Sequence, residues 1–105
     1  MITVEFFGDK PIYGYHITGH SDANPDGPEV ICAGVSSAAY MTANTITEVV
    51  GLNPELVVKD GDMLLKLKTE QEAIRCGEIL QGLRLHLSSL EEQYPKYIKL
   101  TYSEV

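Results

Sequence analysis

Positive charge is scarce in this chain of 105 residues. Eight lysine and arginine residues stand against fifteen aspartate and glutamate residues, and the formal net charge at pH 7 is −7. Proteins that bind nucleic acids concentrate Lys and Arg against the phosphates. The composition therefore predicts no nucleic-acid partner. It suits a basic partner or substrate, although acidity is also a common means of keeping a protein soluble.

Long hydrophobic runs and an export signal are also missing. No stretch of 18 consecutive apolar residues occurs, so no transmembrane helix and no membrane partner are predicted. The N-terminal sequence MITVEFFGDK lacks the basic segment and apolar run of a signal peptide. Only two cysteines are present, and without an export signal they are predicted to be free thiols in a reducing compartment. We therefore expect a cytoplasmic protein.

The pattern of apolar residues predicts a single domain over residues 1–105. Alternating residues and turn signals favour strands at 2–7, 12–18, 56–59, 62–68 and 97–102, with helices at 30–50 and 70–92. The order is ββαββαβ. We predict an α+β fold, a two-layer sandwich with one sheet of about five strands and two helices on one face. The outer sheet face would be solvated or meet a second subunit.

Each predicted helix has one apolar face. In the first helix it comprises Ile31, Val35, Ala38, Thr42, Ile46 and Val49, and in the second Ala73, Cys76, Leu80, Leu83, Leu87 and Leu90. The segment 26–29 before the first helix is similar to a capping box. Cys76 lies within the second apolar face, and we predict that it is buried and unreactive.

Cys32 has different surroundings. It follows a polar loop and lies near the start of the first helix, where partial positive charge favours a thiolate. Its own helix face continues through Ser36, Ala39 and Ala43, which are small and leave room for a molecule to approach. His20 ends a strand on the other side of the loop, and an imidazole is the usual group that activates a cysteine. Two interpretations remain: a catalytic pair, or a turn that holds both residues.

Metal binding is a weaker interpretation. His16 and His20 share a strand face, but four residues of strand separate them by about 13 Å, and His86 is predicted on the surface of the second helix. Asp22, Asn24 and Asp26 alternate as in a calcium loop, but the required glutamate is missing and Pro25 interrupts the segment. We predict no metal and no cofactor.

The motif Gly19-His20-Ser21, a Gly-containing acidic loop and Val30-Ile31-Cys32-Ala33-Gly34-Val35-Ser36 together resemble the signature of the ribosomal-processing cysteine proteases (Prp) of bacteria. The opening segment 1–4 and the segment 87–102, with LEEQY at 90–94, are also similar to that family. The resemblance covers essentially the whole chain.

The resemblance implies a cytoplasmic homodimer that removes the N-terminal extension of large-subunit ribosomal protein twenty-seven by cutting after an aromatic residue. Cys32 would be the nucleophile and His20 the general base. Family members often have an aspartate three residues before the cysteine; here the position is Glu29, and Asp22 and Asp26 are rival orienting carboxylates.

Several other residues are candidates for two roles each. Ser36, one turn after Cys32, is a candidate for supporting the site or for bonding back to its own helix. Tyr13, Tyr15 and Tyr40 are candidates for a pocket that accepts an aromatic side chain, or for ordinary packing. The alternative function is a non-catalytic, acidic, dimeric ribosome-assembly factor that binds a basic ribosomal protein.

Overall fold

The computed structural model describes residues 1–19 and 28–105, and the side chains of 1–19 and 30–105. Five strands form one sheet: β1 (Ile2–Gly8), β2 (Ile12–Thr18), β3 (Glu55–Lys59), β4 (Asp62–Lys66) and β5 (Ile98–Ser103). Their spatial order is β3-β4-β2-β1-β5. β1 and β5 are parallel, and the other neighbouring pairs are antiparallel. This confirms the predicted α+β class and five-stranded sheet.

The first helix, α1 (Pro28–Asn44), continues into a π-helical turn, Thr45–Val49. Proline suits the first helical position, because its missing N–H would be unpaired there anyway. The prediction that Val49 is buried is wrong, since 78% of the residue is exposed. The Val50 N–H donates to the Thr45 carbonyl at 2.8 Å, five residues back. This wider turn shifts the helical phase, so Val50 rather than Val49 packs against the core after Ile46.

The second predicted helix is divided in two. Residues Glu70–Arg75 form α2 and Gly77–Gln93 form α3, with Cys76 between them at φ −98°, ψ 11°. Thr69 caps α2 by accepting a hydrogen bond from the Glu72 N–H at 3.1 Å. The predicted apolar face nevertheless survives the break, and five of its six residues are buried: Ala73, Cys76, Leu80, Leu83 and Leu87.

The core lies between the helices and one face of the sheet. Val4, Phe6, Tyr15 and Leu65 project toward the helices and are fully buried. The opposite face carries charged and polar side chains, among them Glu5, His16 and Lys66, as the strand register and side-chain alternation require. It also carries three half-buried apolar side chains: Phe7, Val57 and Leu64. The outer face is therefore of mixed polarity, and Lys66 lies over the Phe7 ring at 5.1 Å from its centroid.

Helix α1 lies close to the sheet because small residues face it. Ala39 and Ala43 are buried, at 0% and 4% exposure, and the Tyr15 hydroxyl donates to the Ala39 carbonyl at 2.8 Å. The expectation that these alanines leave open space along the cysteine's helix face is therefore wrong for Ala43, which packs in the core. The open space is confined to the first half of α1.

Candidate active site

A cavity of about 290 Å³ opens between the first half of α1 and the sheet. It is bounded by three parts of the chain: the start of β1 with the end of β2, one flank of α1, and the hairpin formed by β3 and β4. Its lining residues are Ile2, Ile17, Gly19, Cys32, Val35, Ser36, Ala39, Tyr40, Val58, Lys59, Asp60, Gly61, Asp62 and Met63. The cavity has an apolar floor, a thiol on one side and charged residues on the opposite rim.

Cys32 lies on the wall of this cavity. The residue is half-buried and its thiol is free. Because it is the fifth residue of α1, its own N–H points back toward the carbonyl four residues earlier in regular helical geometry. The N–H groups without a helical partner belong to the first turn, including those of Glu29 and Val30. The donors available to an oxyanion therefore precede the thiol in sequence.

Gly19 closes the end of the cavity where β2 finishes. Its φ is +101°, and a Cβ at this position would lie 2.3 Å from the Met1 carbonyl oxygen. Only glycine adopts this backbone without strain and tolerates so close an approach. The Gly19 N–H also donates to the Gly61 carbonyl at 3.1 Å. The end of β2 is thereby held against both the start of the chain and the β3–β4 turn.

The β3–β4 turn is also held from the outer sheet face. His16 Nε2 lies 2.6 Å from Asp62 Oδ1, which joins β2 to the first residue of β4. His16 follows Tyr15, whose hydroxyl reaches α1, so the imidazole points to the sheet face away from the helices. This histidine is on the wrong side of the sheet to contact Cys32.

The predicted partners of Cys32 have different outcomes. Three of them lie outside the described residues: His20, Asp22 and Asp26. The first half of the capping box predicted at 26–29 also lies outside them. Glu29 is in the backbone of α1, but its side chain is also outside the described part. Ser36 is half-buried and lines the cavity one turn after Cys32.

The three tyrosines do not act together. Tyr40 lines the cavity and is 46% exposed. Tyr15 is wholly buried and does not line the cavity, so the expectation that it forms part of a substrate pocket is wrong. Burial raises the pKa of its hydroxyl well above the ordinary value. Tyr13 packs against the core and is not among the residues that line the cavity.

The second thiol, Cys76, is enclosed in the core, with 1% of the residue exposed. Burial raises its pKa, which neighbouring Arg75 lowers and Glu72 raises to smaller extents. A protonated thiol is a poor nucleophile. The contrast expected between the two cysteines therefore corresponds to a real difference in their surroundings.

Other classes of site find little support in the described residues. Among the described side chains, those of residues 1–19 and 30–105, no three His, Cys, Asp or Glu residues are grouped as metal ligands. His86 is exposed on α3 and borders a groove with Gly34, Met41 and Ile79, on the flank of α1 away from Cys32. Within the same part of the chain, every helix is too short or too polar to cross a bilayer.

Two features of the site were missed in the sequence. The first is the reason for glycine at position 19: the backbone there lies too close to the Met1 carbonyl for a side chain. Met1 is eighteen residues away, so no local sequence pattern reveals this contact. The Asp60-Gly61 turn was predicted as a hairpin, but nothing in the sequence showed that it forms a wall of the cysteine cavity.

A free thiol at the start of a helix, on the wall of an open cavity, is typical of hydrolases that attack through cysteine. The family model described as cysteine protease Prp matches residues 1–99. The chain therefore belongs to the cysteine protease Prp family, and it is a cysteine protease. This decides against the non-catalytic alternative.

Named relatives agree with this assignment. The ribosomal processing cysteine protease Prp of Bacillus subtilis is 25% identical over 104 residues, covering 94% of this chain and 93% of the relative. The Staphylococcus aureus enzyme of the same name is 26% identical over 85 residues, covering 80% of each chain.

Solved structures of the S. aureus protease also match. Its complex with a substrate peptide has a TM-score of 0.84 at 25% identity, covering 98% of this chain and 100% of that one. Its complex with a covalently linked product peptide has a TM-score of 0.80 at 28% identity, with the same coverage.

Proposed function

We propose that this protease removes the N-terminal extension of large-subunit ribosomal protein twenty-seven, cutting after an aromatic residue, with Cys32 as nucleophile and His20 as general base. The observation that carries the proposal is the placement of Cys32, a half-buried free thiol on the wall of an open cavity, in a chain whose other thiol is enclosed. A relative that holds a covalently linked product peptide supports covalent chemistry at such a site.

The assignment of His20 is supported by the positions of the other two histidines and by chain continuity. His16 faces the outer side of the sheet, and His86 lies on the far flank of the helices. Gly19 lines the same cavity as Cys32, and His20 is the next residue in the sequence. Glu29, Asp22 and Asp26 remain candidates for the carboxylate that orients the imidazole.

The proposed reaction follows general cysteine-protease chemistry. His20 takes the thiol proton, and the Cys32 sulfur attacks the scissile carbonyl carbon. The tetrahedral oxyanion is stabilised by unpaired N–H groups in the first turn of α1. His20 then gives its proton to the leaving amine, and water hydrolyses the thioester. Ser36, on the same cavity wall, supports the site through its hydroxyl.

The substrate assignment is supported by charge and by the cavity lining. Ribosomal proteins are basic, and the net charge of −7 favours their approach. Ile2, Ile17 and Met63 form an apolar floor suited to an aromatic side chain. We propose a soluble cytoplasmic homodimer with no metal or cofactor and no nucleic-acid partner. Light scattering after gel filtration should give the mass of two chains, and the mass of one chain would contradict the homodimer.

The decisive experiment uses a peptide that spans the aromatic cleavage site of the cognate ribosomal protein. We expect wild type to cleave it, and Cys32→Ala and His20→Ala each to lower kcat by at least about 10³-fold while the peptide still binds. Cys76→Ala is the matched control and should retain activity. Full cleavage by Cys32→Ala would refute the nucleophile, and cleavage at a non-aromatic site would refute the proposed specificity.

A further inference from the structure

The edge strand β3 extends beyond the layer of helices. Leu56 and Val58 point to the helix side of the sheet, since they pair with the buried residues Leu65 and Met63 of β4. Even so, they are 42% and 45% exposed. Apolar side chains at the edge of a sheet are normally covered or replaced by charged ones. β3 therefore leaves an apolar trough open beside α1.

This trough runs into the cavity that contains Cys32. Val58 lines the cavity together with Tyr40 and Ser36 of α1. Tyr40 is itself 46% exposed, so both sides of the trough present apolar surface. The thiol and the strand edge thus belong to one continuous depression, with α1 on one side and β3 on the other.

The backbone of β3 also has hydrogen-bonding groups directed outward. β3 and β4 are joined by a two-residue turn, and the flanking residues Lys59 and Asp62 are paired. In such a hairpin the pair next to the turn exchanges both hydrogen bonds and the next pair exchanges none. The N–H and C=O groups of Val58 therefore point away from β4, toward the open edge, and those of Leu56 do the same.

We infer that the substrate polypeptide binds in extended form along β3 as a sixth strand of the sheet, with its backbone bonded to Val58 and Leu56. Side chains at alternate substrate positions then enter the trough, and the segment leads toward Cys32. Strand addition supplies affinity through the backbone and selectivity through alternate side chains. The occupant is an unfolded, extended peptide with apolar side chains at alternate positions, which is the state of a protease-accessible N-terminal extension. This inference rests on the proposed function.

The first test is a scan of the cleavable peptide with single N-methyl groups, which remove one backbone donor at a time. On wild-type protein we expect alternate positions to raise KM about five- to tenfold, and the intervening positions to have little effect, because only every second N–H of an added strand faces β3. Equal sensitivity at neighbouring positions, or none at any, would overturn the inference.

The second test is Val58→Pro. Proline removes the outward N–H and is tolerated on an edge strand where that N–H faces solvent. We expect a similar rise in KM with kcat little changed. Val58→Thr is the matched control, because it keeps the N–H and the branched shape; its KM should rise less. An unchanged KM in folded Val58→Pro would refute the inference, and if this variant does not fold, the N-methyl scan on wild type decides.

The failure of the proposed function can be told apart from the failure of this docking mode. If wild type leaves the peptide intact, the proposed substrate is wrong. Fluorescence anisotropy of the labelled peptide series then tests strand addition without cleavage: alternating losses of affinity support it, and uniform affinity across the series refutes it.

Discussion

Replacement of Gly19 by alanine tests whether the end of β2 is held as the structure indicates. The residue has a φ of +101°, and an added Cβ would lie 2.3 Å from the Met1 carbonyl oxygen. Forcing a non-glycine residue into such backbone costs about 1–3 kcal/mol. To reach an ordinary contact distance, the two atoms must move apart by roughly 1 Å, which costs about 1–3 kcal/mol in a packed region.

The Met1 carbonyl has little freedom to move away. The next residue, Ile2, is 3% exposed, and its N–H donates to the Tyr97 carbonyl at 2.8 Å. Since some strain will be relieved by small adjustments, we expect Gly19→Ala to lower the free energy of unfolding by about 2–4 kcal/mol. For a chain of this size that is a fall in Tm of roughly 10–20 °C.

Thermal unfolding followed by circular dichroism, with peptide cleavage measured well below Tm, provides the assay. We expect kcat/KM to fall at least about tenfold even where the variant is folded, because Gly19 leads directly to His20. Gly82→Ala is the matched control. Apart from its chain neighbours and the adjacent backbone of α3, no atom lies within 4 Å of its added Cβ, so this variant should be neutral or stabilise by up to about 1 kcal/mol. A Tm for Gly19→Ala within 1 °C of wild type would refute the reasoning.

Further predictions concern the thiols and a buried tyrosine. Iodoacetamide at neutral pH should modify Cys32, detected by peptide mass mapping, while Cys76 reacts only in denaturant; equal rates in folded protein would contradict the assignment. Tyr15→Phe should cost about 1 kcal/mol in urea unfolding, because the bond to the Ala39 carbonyl is lost; no change would show that bond to be unimportant. Burial raises the pKa of Cys76, so the unfolded state loses its thiol proton first as pH rises, and stability should fall above about pH 8.5 by up to ~1.4 kcal/mol per pH unit. Cys76→Ala should flatten this slope in urea titrations between pH 8 and 10, and an unchanged slope would contradict the pKa shift.

Periodicity predicted the fold well because each element buries one face against a single core. The alternating apolar residues of β1 and the apolar face of α3 correspond directly to buried residues. Local irregularities escaped prediction because they depend on backbone geometry rather than pattern. The π-helical turn moves Val49 to the surface, and the break at Cys76 divides one predicted helix while preserving its apolar face.

The candidate site was predictable only where chemistry is local to the chain. Cys32 could be distinguished from Cys76 because a helix start and an apolar seam leave different residues around a thiol. The cavity itself joins the end of β2 and the first half of α1 to the β3–β4 hairpin, and only strand order decides which hairpin becomes its wall. The sequence of Asp60-Gly61 indicates a turn equally well at any place in the sheet.

The architecture explains why the thiol lies at this edge of the molecule. α1 packs across the sheet through Ala39, whose carbonyl receives the Tyr15 hydroxyl, and this contact fixes the distance between helix and sheet. The cavity opens beside the first half of α1, and Val58 of β3 borders it, with the outward backbone groups of this strand directed away from β4. A peptide bound along β3, as we infer, would reach the nucleophile from the strand edge. The close alanine contact thus positions α1 against the sheet, and exposed Val58 of β3 borders the same cavity as the thiol.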